Sequence, residues 1–263
     1  QDGDVRHFGM SKEGVIARQF MLGVVQTADG MPIFHEVFDG NTAEAPTLEP
    51  TLKKVLTRYP HIRRLVVVAD RGLLSLDNIE ALSKLHVGAG VGTDGGAGRP
   101  LEFILAVPGR RYGEFVDLLE PMAARMAQAT DEIVEEAQWQ GHRLVVAHNP
   151  LRATEQTQER LARIHALQQR ADQLAGKLDA QDEGKVQRGR KLSDSGAKAR
   201  FFHEVSDAHL ARIIKVDLQS DLFTYAIDET ALARAQLMDG KLMLVTNVKD
   251  LSPAEVVQRY KSL

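Results

Sequence analysis

The apolar positions of this chain change period several times, and each change marks a structural element. Residues 15–26 read as one long strand. Residues 31–38 read as a second, in which Phe34, Glu36 and Phe38 alternate with Ile33, His35 and Val37. Between them, Asp29-Gly30 suits the positive φ angles of a tight hairpin turn. Asp39-Gly40-Asn41-Thr42 breaks the second strand, and the period then lengthens. Leu48, Leu52, Val55 and Leu56 fall on one face of a helix. Leu65 to Ala69 carry no polar side chain, the pattern of a strand covered on both faces. A helix over 76–85, capped by Ser75, sets Leu76, Ile79, Leu82 and Leu85 on one side. A glycine-rich loop over 88–98 leads to an apolar strand over 101–107. No strand is read in residues 1–14. The order predicts an antiparallel hairpin joined to a parallel β-α-β unit.

From Pro108 the pattern shifts. Residues 115–126 suit a helix, and 132–148 a hairpin turning at Gln140-Gly141 beside Trp139. A long helix is predicted over 154–178. Its residues Ile164, Leu167, Ala171, Leu174 and Leu178 are spaced by threes and fours, the seam of a helical hairpin. Between Lys185 and Arg200 stand six Lys or Arg (Lys185, Arg188, Arg190, Lys191, Lys198, Arg200) against one acidic residue, Asp194. A solvated loop and a phosphate-contacting patch are both open readings of that run. Strands follow over 213–218 and 222–227, then a helix over 230–237, a turn at Asp239-Gly240, a strand over 241–246, and a final helix from Ala254 capped at Ser252-Pro253. The chain thus divides into a first core part (1–107), an insertion of helices and a hairpin (108–212), and a closing part (213–263).

Composition narrows the classes. At 43% hydrophobic and 26% charged residues, the 263-residue chain can bury a substantial core. A net charge of -3 gives no whole-chain sign of nucleic-acid binding, so such a signal must be local. The absence of Cys excludes disulfides, thiolate zinc sites and a cysteine nucleophile. No stretch reaches the ~20 apolar residues of a membrane helix, and the polar start is not a signal peptide, so a cytoplasmic location is expected. A start at Gln1 suggests a piece of something longer. The 88–98 loop lacks the Gly-Lys-Ser/Thr ending of a phosphate-binding loop and leads into a strand, so no nucleotide site is read there.

The strongest chemical candidate is Asp70, which directly follows the apolar run and precedes Arg71-Gly72. Ligands gather at the carboxyl ends of strands in α/β sheets, so a carboxylate there can hold a metal. It can equally just accept turn N–H groups. Asn41 and Asn247 each follow an apolar strand and precede a helix, where Asn tolerates left-handed geometry and caps main-chain groups. Both are read as structural residues near the site.

Four segments, in order, resemble the catalytic domain of bacterial insertion-sequence transposases of the Asp-Asp-Glu class, in the branch with a Tyr-Arg-Glu-Lys signature. They are Phe8-Gly9-Met10-Ser11-Lys12, then Glu36 to Glu44 (Glu-Val-Phe-Asp-Gly-Asn-Thr-Ala-Glu), then Val66 to Ser75, and last Asp239 to Asn247 followed by Ser252 to Tyr260. The resemblance spans nearly the whole chain. It implies a ribonuclease H-like mixed sheet with a large α+β insertion and DNA strand cleavage and transfer at element ends. Asp70 is then the second catalytic Asp, ligating two Mg2+ ions in the complete site, with Tyr260 on the final core helix near it. Partners would be double-stranded DNA (element ends and target) and a second copy when DNA is bound. From the basic run itself, Lys185, Arg188, Arg190 and Lys191 are expected to be available to phosphates.

Two departures follow. The family's first Asp lies on an opening strand upstream of Phe8-Gly9, and neither Asp2 nor Asp4 is promoted to that role. Its final Glu falls about two helical turns, roughly seven residues, beyond Tyr260. The expectation is therefore a fragment that lacks the opening strand and the end of the final catalytic helix, holds one catalytic carboxylate of three, and does not cut DNA alone. Without that strand the 15–38 hairpin either closes directly on the Leu65–Asp70 strand or stands apart from it by a gap about one strand wide, and the gap is the expectation. A non-catalytic DNA-binding or assembly protein of transposase descent is the nearest alternative, and another metal-dependent phosphoesterase the next.

Overall fold

The computed structural model describes residues 4–10, 15–27, 29–69, 76–88, 98–185 and 191–262. In chain order the elements begin β1 (His7–Met10), β2 (Ile16–Gln26), β3 (Pro32–Asp39), α1 (Leu48–Arg58), β4 (Val66–Ala69), α2 (Leu76–Ser83), β5 (His86–Val87), β6 (Arg99–Pro100) and β7 (Glu102–Ala106). They continue α3 (Val116–Gln128), β8 (Ile133–Trp139), β9 (His142–His148), α4 (Pro150–Asp182), α5 (Asp194–Asp207), β10 (Ile214–Val216), β11 (Tyr225–Ile227), α6 (Glu229–Met238), β12 (Lys241–Thr246) and α7 (Pro253–Lys261). The protein is mixed α/β. Its contacts form two units: Gln1–Tyr112 with Val134–Ala147 and Leu242–Leu263, and Gly113–Ile133 with His148–Lys241.

The first unit is built on a five-stranded sheet ordered β4-β7-β12-β9-β8. β4 runs parallel to β7, from Val66 opposite Glu102 to Ala69 opposite Leu105, and β12 runs antiparallel to β7. The sheet is therefore mixed. β7 and β9 lie inside it and carry almost unbroken apolar runs, as strands covered on both faces must. Phe103 to Ala106 and Leu144 to Val146 are fully buried. α7 seats Val256 and Val257 against Ile104, Ala106 and Leu244. A capping box starts it: Ser252 accepts from the Glu255 main chain while the Glu255 carboxylate accepts from the Ser252 N–H. Arg64 ties the entry to β4 to its neighbours, donating to Glu102 at 2.6 Å and to Asp250 at 2.7 Å.

β1, β2 and β3 form a separate antiparallel sheet. Among the described residues no ladder joins it to β4. β1 corrects the reading of residues 1–14 as strandless. His7 to Met10 pair with Gln19 to Ile16, so the premise of an empty N-terminal stretch fails. Only four residues long and set in a polar neighbourhood, β1 carries too little alternation to be seen by period. One face of this sheet leans on α1, where the Glu36 carboxylate accepts from Lys54 and the Tyr59 hydroxyl donates to the Ile33 carbonyl at 2.7 Å. The opposite face is apolar and open: Phe8, Ile16, Phe20, Leu22, Val24 and Val37 are 46 to 69% exposed. Gly40 closes the sheet's end where no side chain fits, since a Cβ there would lie 1.8 Å from the Gln19 carbonyl oxygen.

The second unit packs α4 against α5 and the β10–β11 pair. The predicted seam holds in detail: Ile164, Leu167, Ala171, Leu174 and Leu178 are all buried in α4. They meet Ala197, Phe201 and Val205 of α5, and the Phe201 ring lies edge-on to Phe223.

Two boundaries differ from the sequence division. The 133–148 hairpin supplies β8 and β9 to the five-stranded sheet instead of belonging to an insertion, because its Leu144–Ala147 run needs cover on both faces. Residues 213–238 pack with α4 and α5 instead of closing the core. The basic run also ends sooner than a loop to Arg200 would, for α5 begins at Asp194 with Ser193 as its N-cap.

Candidate metal and nucleic-acid sites

Asp70, with its neighbours 71–75, lies outside the described residues, as do Arg188 and Arg190. What the structure describes is the approach to Asp70. β4 is a short edge strand of the five-stranded sheet, its last residue Ala69 is buried, and α2 then returns the chain toward the parallel strand β7. Among the described residues there is no group of three or more His, Asp or Glu able to hold a metal ion. Asp4 accepts hydrogen bonds from the Arg6 guanidinium and then from the Arg6 main-chain N–H, which hold its carboxyl well below the usual range.

The two asparagines behave differently from each other. Asn247 clamps β12 to β7: its side-chain oxygen accepts from the Phe103 N–H at 2.8 Å, and its amide donates to the Leu101 carbonyl at 2.9 Å. Asn41 is exposed in the turn after β3. Neither takes left-handed geometry, which among the described non-glycine residues occurs only at Gln140 and His209. Tyr260 is half-buried against the cluster of Ile104, Val145 and Val257.

The basic run is less uniform than its composition. Lys185 is paired with Glu183. Lys198 is buried and donates to the Ser220 carbonyl, so it is unavailable to a phosphate. Lys191 and Arg200 are exposed and line a depression of about 730 Å³ between α4 and the start of α5. Lys177 of α4 lines the same depression. It stands well before the basic run, and only its helical offset of four from Gln181 would have pointed to it.

The second unit also holds a cavity of about 540 Å³ lined by His148, Thr154, Thr157 and Lys241 among others. Lys241 Nζ lies 3.4 Å from His148 Nδ1. Burial, and next the Lys241 charge, push the His148 pKa down, against a hydrogen bond to the main chain of Asp239 that raises it. Burial also lowers Lys241, with the Asp239 charge opposing. The folded state therefore prefers neutral His148, whereas the unfolded chain protonates near the ordinary value of about 6.5. The stability His148 contributes is present above that pH and is lost as pH falls from about 6.5 through the depressed folded value. Urea midpoints at pH 7.5 and 5.5 should differ less for His148→Gln than for the wild type; equal differences would refute the assignment.

Comparison with protein-family models, curated proteins and solved structures gives no match to this chain.

Proposed function

We propose that the chain is the catalytic region of a DNA transposase with a ribonuclease H-like core, acting on double-stranded DNA at element ends as part of a dimer. The observation that carries the reading is the parallel pair β4–β7. A short apolar strand crosses over through α2 to a buried neighbour, and it ends one residue before the carboxylate of a segment that resembles the family's second catalytic Asp. The order of the four resembling segments supports it further. Carboxylate oxygen is the donor type that Mg2+ takes, and Asp70 is the residue assigned to hold it. Bound there, Mg2+ would activate the attacking hydroxyl and stabilise the leaving oxygen of a phosphodiester.

The second reading is a non-catalytic DNA-binding or assembly protein of the same descent, which would share the fold and differ in the carboxylates that flank Asp70. One assay separates the two. Full-length protein is incubated with supercoiled plasmid carrying the element ends, in Mg2+ or in EDTA. Nicks at the ends and joined products that need Mg2+ support the transposase reading. Bound but uncut ends in Mg2+ overturn it in favour of the second.

A further inference from the structure

We infer that the depression between the last turns of α4 and the first turns of α5 seats the phosphate backbone of duplex DNA. The inference deepens the reading above and rests on it. Three cations from three separate stretches of chain line this one concave surface: Lys177 on α4, Lys191 in the segment before α5, and Arg200 on α5. All three are exposed. Among the described residues none of them is held in an ion pair, whereas nearby Lys185 pairs with Glu183 and Arg170 with Glu204. Asp179 and Asp182, exposed near the end of α4, do not line it.

The depression is built rather than incidental. Gln181 clamps the far wall to α4: its amide nitrogen donates to the Leu192 carbonyl at 2.8 Å and its oxygen accepts from the Leu192 N–H at 2.7 Å. Lys177 lies one helical turn before Gln181, on the same face of α4. Lys191 is the residue next to the clamped one, so the clamp holds the two ammonium-bearing stems on one surface. Across the depression Gly196, one turn before Arg200, lines the same surface without a side chain. The one carboxylate at the start of α5, Asp194, accepts from the Phe223 N–H at 2.7 Å and is thereby turned to the protein. Three cations set around one concavity, its two sides joined by the Gln181 side chain on the Leu192 main chain, suit a run of phosphates better than a single small anion. Each phosphate neutralised releases counterions, which makes the contact measurable.

The test measures binding of full-length protein to a fluorescent 30-base-pair duplex without divalent metal, across a range of KCl. The variants are a Lys177→Gln, Lys191→Gln, Arg200→Gln triple and, as a control, Lys185→Gln. Loss of three phosphate contacts should flatten the log–log salt slope by about 2.7 units, at roughly 0.9 per contact. Gln181→Ala, which releases the clamp while keeping every charge, should weaken binding at low salt. The triple variant's thermal melt should match the wild type, since all three side chains are exposed. A Lys185→Gln slope equal to that of the wild type supports the site. If the triple variant binds with an unchanged slope, the depression is not the phosphate seat although the chain binds DNA. If inorganic phosphate at millimolar concentration displaces the duplex from the wild type, a single-anion pocket replaces the proposal. If the wild type binds no duplex at all, the DNA reading itself fails.

Discussion

Asp70→Ala should lower strand cleavage and transfer by the full-length protein by roughly three orders of magnitude or more, the rate equivalent of several kcal/mol of lost metal-dependent stabilisation. Binding to the element ends should change by less than about twofold, because Asp70 is assigned to the metal and not to the DNA. The conservative exchange Asp70→Asn should be nearly as damaging, since it keeps the shape and removes the charge that a hard cation requires. Asp70→Cys offers a readout that a turn-capping role would not move: partial return of cleavage in Mn2+ but not in Mg2+, as a softer ion accepts the thiolate. Cleavage by Asp70→Ala at the wild-type rate would sink the assignment.

The largest stability effect is expected at Asp239, whose side chain is 5% exposed. Its carboxylate accepts from Arg160 through both oxygens, one at 2.7 Å, and from the Thr157 hydroxyl at 2.7 Å. The adjacent Gly240 completes the attachment. Its N–H donates to Gln156 and its carbonyl accepts from the Asn149 N–H. Gly240 has φ +67°, and a Cβ there would stand 2.3 Å from the Asn149 carbonyl oxygen, so no other residue replaces it cheaply. The turn after α6 is thereby held to the first three turns of α4. Asp239→Ala leaves the Arg160 guanidinium partly buried and unpaired, and should cost about 3–5 kcal/mol in urea unfolding. Adding Arg160→Met should return a good part of that loss, because the orphaned charge goes with it. A single-variant loss under about 1 kcal/mol would show that water satisfies the guanidinium and that the pair is dispensable.

Local periodicity carried much of this fold. The alternation at Ile33–Phe38 and the seam Ile164 to Leu178 were each readable because one element decides each of them. The unbroken run at Leu65–Ala69 marks strand β4 but misplaces it: β4 is an edge strand with Val66 to Val68 half-buried, not a strand covered on both faces. What was not readable depends on pairings between distant residues. Phe103 and Asn247 meet across 144 positions, and nothing in the sequence near Leu144–Ala147 says that β9 lies between β12 and β8. α5 was hidden for another reason. Its apolar face, Ala197, Phe201 and Val205, begins inside a stretch whose charges suggest a loop. The same local view grouped Lys185 with Lys191 by proximity in the chain. Folding instead groups Lys191 with Lys177 through the Gln181–Leu192 clamp. Asp70 remains a reading from the chain alone.

The open apolar face of the β1–β2–β3 sheet has a practical consequence for anyone who follows unfolding of this protein with a solvatochromic dye. Such dyes brighten on exposed apolar surface and are usually taken to report loss of packing. Here a patch with Phe20, Leu22, Val24 and Val37 in neighbouring positions is presented by the native state itself. The dye should therefore fluoresce before any heating, with a falling baseline and a shallow rise that understates the transition. Circular dichroism on the same sample should show an ordinary cooperative melt. Replacing Leu22 and Val24 by Lys should lower the cold signal severalfold without moving the dichroism midpoint by more than a few degrees. Unchanged cold fluorescence in that variant would mean that the dye binds elsewhere.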